Sequence, residues 1–183
     1  MATRFPVRRL TPRERRRVEE SVRGLPYYRS RLRIVAGHGL DQRGIHAASF
    51  VPHRRIVVDG SLLMRQRELR RILYHEIFHF VLFHLGNPLR QSYRALLRRE
   101  WGEGARGELG WSAENAKRFV TAADLRRRSR RWREYCCESF CDAAAWFCLH
   151  ERGRHEEWTL KPRFRERRRR WFSASDVLPR LQL

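Results

Sequence analysis

Lysine is almost missing from this chain: only Lys117 and Lys161 occur among its 41 basic Lys and Arg residues. Acidic side chains are few as well, 20 in all, so the formal net charge is +21 at pH 7. No apolar run approaches the roughly 20 residues that a bilayer-spanning helix needs, so no membrane association is expected. Met1 to Arg9 is basic, yet no apolar segment follows it, so a secretory signal peptide is not expected. Cysteine is scarce and bunched: Cys136, Cys137, Cys141 and Cys148 all fall on one expected helix. A secreted disulfide scaffold spreads its cysteines along the chain. This grouping predicts a reduced, cytoplasmic protein whose thiols serve as small buried hydrophobes.

What is present suits a folded protein. The 183 residues are 42% hydrophobic and 33% charged, which predicts a single soluble domain over 1–183 with a core of its own. The Arg excess has two readings. A GC-rich genome writes Arg where Lys would serve, but it does not explain the shortage of acids. Either way the charge raises affinity for polyanions, including non-specific contact with nucleic acid.

Local signals predict an α+β chain. Thr11-Pro12-Arg13-Glu14 reads as a capping box opening a helix that Gly24 and Pro26 end. Three short β-like stretches follow, 32–36, 44–51 and 55–58, punctuated by Gly and Pro, which predicts a sheet of about three strands. Asp59-Gly60-Ser61 then breaks the sheet and caps a long helix running to Gly86, apolar almost all round from Ile72 to Leu85 and therefore buried. In the basic segment 87–133, Tyr93 to Trp101 reads as helical, and a second helix runs from Trp111 to Leu125. Trp132 to His150 reads as another buried helix, and 151–183 as a basic extension.

The chemistry concentrates in His75-Glu76-Ile77-Phe78-His79, a match to H-E-x-x-H. On a helix, positions i and i+4 lie one above the other. Both imidazoles can then reach one tetrahedral Zn²⁺ at about 2.0–2.1 Å. Glu76 stands beside the metal, placed to take a proton from the water that zinc activates. A catalytic zinc has three protein ligands and an open position, so a third is required. Glu138 is the candidate, with Glu134 as runner-up; Glu100 and Glu114 sit in stretches that read as more exposed. Glu138 and Asp142 share a helix face by the i, i+4 rule. Asp142 is expected to hold the outer N–H of a ligand histidine. His84 faces away from His75 on a continuous helix and is not expected to be a ligand. An oxyanion donor is also needed, with Tyr74, Tyr135, His46 and His53 as candidates.

The strand ending in Ile56-Val57-Val58-Asp59, the His75-Glu76-Ile77-Phe78-His79 helix, and a later helix with Glu138-x-x-x-Asp142-x-Ala144-Ala145 together resemble the ImmA/IrrE-type metallopeptidases, minimal gluzincin-like zinc proteases. The resemblance covers roughly residues 30–86 and 134–150. It implies a zincin-like fold, His75, His79 and Glu138 as zinc ligands, Glu76 as general base, Asp142 behind the ligands, and a protein or peptide substrate. Fifty-nine positions separate His79 from Glu138, longer than compact members, so 87–133 would be an insertion. SprT-like proteases, zincins that act near DNA, are a second kinship the charge suits, but their third ligand is a His and none is well placed here.

Two functions follow as expectations. One is zinc-dependent peptide hydrolysis, with the 55–58 strand free to pair with an extended substrate. The other is a non-catalytic nucleic-acid-binding or regulatory protein, in which Arg126 to Arg133 and Arg163 to Arg170 work with Trp132, Phe164, Trp171 and Phe172.

Overall fold

The structure, a computed structural model, describes residues 6–23, 25, 32–40, 44–149, 155–174 and 177. It is α+β: seven α-helices and one four-stranded mixed sheet among the described residues. The chain divides into two compact units, Met1–Phe83 and His84–Leu181. Among the described residues, no helix is long and apolar enough to cross a membrane.

The first unit holds the sheet, in the order β1-β2-β4-β3. Strand β1 is Val7–Arg8, β2 is Arg33–Gly37, β3 is Ala47–Phe50 and β4 is Arg55–Asp59. β2 and β4 run parallel, with Val35 opposite Val57, while β1 and β3 add antiparallel at the two edges. The expected three strands are thus four, because a two-residue strand is too short to display alternation in sequence. β4 is hydrogen-bonded on both sides, so it is not open to a substrate; β3 is the edge strand beside it.

Helix α1, Pro12–Val22, starts where expected. Thr11 Oγ1 accepts the Glu14 N–H, and the Glu14 carboxylate accepts the Thr11 N–H at 2.8 Å. Hydrogen bonds from Arg8 hold the Glu14 carboxyl at about 2, well below its ordinary value. Gly24 and Pro26 lie outside the described residues. Asp59 does not cap the long helix. Its two oxygens accept the Leu40 and Ser61 N–H groups, fixing the turns after β2 and β4. A 3₁₀ turn at Leu62–Met64 intervenes, and helix α2 begins only at Gln66 and runs to His84. Gln66 Nε2 donates to the Arg17 carbonyl and to Ser21, and Arg17 donates to the Leu63 carbonyl, which ties the start of α2 to α1.

The second unit is built on helix α6, Arg130–Leu149, packed against α3 (Asn87–Gly102), α4 (Trp111–Arg118), α5 (Ala122–Arg127) and α7 (Pro162–Ser173). The single helix expected over 111–125 is two. The first stops at Arg118 with Phe119 as its C-cap, and Thr121 opens the second with its own capping box to Asp124. Tyr93, Phe140 and Phe172 form the aromatic centre, with Trp171 edge-on to Tyr93. At its heart Arg168, fully buried, pairs with Glu100 at 2.8 Å and Glu108 at 2.6 Å. Lys117 and the Tyr135 hydroxyl also bind Glu108. Burial would push the Glu108 carboxyl up, but the Arg168 charge and hydrogen bonds, with Lys117 behind them, overturn that and hold it at about 2. Glu100 goes the other way: burial dominates and raises it. One of its oxygens has no hydrogen-bond partner among the described residues. The sequence reading placed Glu100 in exposed surroundings; it is 1% exposed.

Candidate metal centre

Helix α2 brings His75 and His79 together as the i, i+4 spacing requires. Their Nε2 atoms stand 3.2 Å apart, with the rings edge to face at a centroid distance of 4.9 Å. Two nitrogens bound to one tetrahedral zinc at about 2.0–2.1 Å stand about 3.3–3.4 Å apart, so the pair matches the bite of a single ion.

Glu76 is 7% exposed. Its carboxylate is not left without a donor: Ser49 Oγ lies 2.6 Å from Glu76 Oε2 and 2.9 Å from the Glu76 carbonyl. Ser49 sits on β3, opposite Ile56 of β4. The edge strand therefore fixes the orientation of the carboxylate beside the histidines. Sequence reasoning missed Ser49. The only signal was a lone hydroxyl between Ala48 and Phe50 in a short strand, and nothing local says which helix it faces.

In the second unit, Glu138 and Asp142 lie one turn apart on α6, Glu138 half-buried and Asp142 buried. Asp142 Oδ2 accepts the Ala113 N–H at 2.8 Å. The carboxylate thus satisfies an orphan donor in the first turn of α4. Gly110 makes this approach possible: a Cβ there would stand 2.3 Å from the Asp142 carboxyl carbon. Glu134, the runner-up ligand, is exposed and paired with Arg130 at 2.6 Å. Tyr135 donates its hydroxyl to Glu108, which commits it away from the oxyanion role. His46 and His53 are exposed, and Tyr74 is buried.

The four cysteines are free thiols, three of them buried. Burial pushes Cys136 and Cys148 up to about 12 and Cys141 well above its ordinary value, so these three stand as inert, apolar packing groups. Of the aromatics expected to interleave with arginine for base stacking, Trp132, Phe164 and Phe172 are buried and offer no ring face to a ligand.

No protein-family model matches the chain, and no curated protein or solved structure matches it either.

Proposed function

We propose that this chain is a zinc-dependent metallopeptidase of zincin-like fold, acting on a protein or peptide substrate in the cytoplasm, with the ImmA/IrrE-type resemblance as part of the proposal. The observation that carries it is the His75–His79 pair at 3.2 Å, with buried Glu76 one residue on and held by Ser49. His75, His79 and Glu138 would hold the metal.

When bound, zinc supplies Lewis acidity to water and to a carbonyl oxygen. The chain's own residues supply the rest. Glu76 accepts a proton from the attacking water and returns it to the leaving amine. Ser49 donates to that carboxylate, holding it in one orientation. β3, at the edge of the sheet, would take an extended substrate by strand addition. Asp142 would steady a ligand histidine as well as the first turn of α4. A catalytically silent scaffold has no use for a buried Glu76, because burying a carboxylate without a task is costly.

Elemental analysis and a peptide-cleavage assay test this together. Wild type should carry near one zinc per chain, and Glu138→Ala should lose it or hold it far more weakly. Glu76→Gln should keep the zinc and lose cleavage by roughly 10²–10⁴-fold. Zinc held equally by Glu138→Ala would keep the metal and move the third ligand to another residue. No zinc in wild type, even after reloading, would end the peptidase reading.

A further inference from the structure

We propose that the groove between α4 and the start of α6 recognises an extended acidic protein segment carrying a large apolar side chain. Its role as a substrate subsite rests on the peptidase reading; its binding chemistry does not.

The groove has a volume of about 490 Å³ and is lined by Trp111, Ala116 and Phe119 from α4 and its C-terminal end, and by Arg131, Glu134 and Glu138 from α6. That size lies within the range of pockets that enclose a ligand group, roughly 300–1,000 Å³. Trp111 is 56% and Phe119 61% exposed. No other large apolar side chain of the second unit is as open among the described residues. Two such rings edging one groove form an apolar patch of the kind that marks a binding site. The groove also reaches Glu138, the proposed metal ligand.

Charge selects the rest of the ligand. The first turn of α6 carries Arg130, Arg131 and Arg133 and no acidic residue. Cations there oppose the helix dipole. Arg126, Arg127 and Arg128 end the preceding helix and face solvent. The side chains of Arg126, Arg127, Arg128, Arg131 and Arg133 form no ion pair or hydrogen bond among the described residues. Concentrated positive charge that weakens its own helix is explained by an anionic partner. A nucleic acid fits less well, because phosphates entering the groove would meet Glu134 and Glu138. An apolar side chain meets no such repulsion, and acidic residues flanking it in sequence would fall on the arginine corner.

The test reads binding rather than cleavage. Fluorescence anisotropy would follow a labelled peptide with one central Phe followed by four Asp, against the full chain in the Glu76→Gln background so that bound peptide is not cut. Two control peptides replace Phe by Ala, or the four Asp by Lys. The Phe/Asp peptide should bind at least ~10-fold more tightly than either control. Phe119→Ser should erase the preference for Phe over Ala. Arg131→Glu with Arg133→Glu should erase the preference for Asp over Lys and the salt dependence of binding, while the melting temperature holds or rises because the helix dipole is now satisfied. Equal affinity for all three peptides overturns the proposal. So does tight binding of a single-stranded oligonucleotide that both variants abolish while peptides are not distinguished. Peptide discrimination without any cleavage by the parent chain keeps this inference and removes the peptidase reading. Cleavage without discrimination does the reverse.

Discussion

Two arginine-rich stretches look alike in sequence and are used in opposite ways. Arg163 to Arg170 and Arg126 to Arg133 both read as basic runs beside aromatic residues. On α7 the arginines turn inward or sideways. Arg168 is buried between Glu100 and Glu108, and Arg167 pairs with Glu103. Arg165 donates to the Leu160 and Trp158 carbonyls, Arg169 lies over the Trp146 ring, and Arg170 pairs with Glu166. At the α5–α6 corner, among the described residues, Arg130 alone closes an ion pair, the Arg131 charge acts on Asp124 without one, and all six arginine side chains are exposed. The difference lies in where the acids are. Glu100, Glu103 and Glu108 sit far away in sequence and meet α7 only through folding. At the corner, among the described residues, the acids are the local Asp124 and Glu134, and no distant carboxylate closes an ion pair there. A basic run therefore says nothing by itself about binding: one of these is a structural clamp, the other an open electrostatic surface.

The largest effect that could break this comparison is on the clamp. Arg168→Met should destabilise the protein by about 3–5 kcal/mol, since it strands two buried carboxylates. Urea unfolding would read this, and added salt should not restore it, because the cluster is shielded from solvent. Unchanged stability would mean that α7 is no clamp.

A smaller effect, with a pH signature, is expected from Glu108→Gln. The Glu108 carboxyl sits near 2 in the folded protein against an ordinary 4.5, so its stabilising contribution is present above 4.5 and is lost as pH falls through 2. The stability gap between wild type and Glu108→Gln should therefore be widest near neutral pH and close between about pH 4.5 and pH 2. Thermal melts across that window would show it. A gap independent of pH would mean that the carboxylate's charge is not what Arg168 holds.

The smallest effect on folding should come from the corner. Replacing Arg126, Arg127 and Arg133 together by Gln should change stability by no more than about 0.5 kcal/mol. The same variant should elute from a heparin column at clearly lower salt, because open cations set polyanion affinity. A large loss of stability would erase the distinction between the two stretches.

What could be read along the chain was whatever depends on near neighbours. The capping box at Thr11 and Glu14 and the i, i+4 pairing of His75 and His79 follow from helix geometry within a few residues, and both are present. The break at Thr121 is just as local, but the apolar pattern on either side hid it. β1 is two residues long and exists only because β2 offers an edge. Ser49 matters because β3 runs beside α2, and Glu108 because Arg168, sixty residues later, pairs with it.

By itself, then, the sequence determined the α+β character, the histidine pair with its glutamate, and the positive charge, because helical periodicity and composition act over short range. Which hydroxyl steadies Glu76, which carboxylates are buried, and which arginines remain open was decided only by the tertiary structure. Those roles depend on partners distant in the chain, and on how much water each charge keeps once they meet.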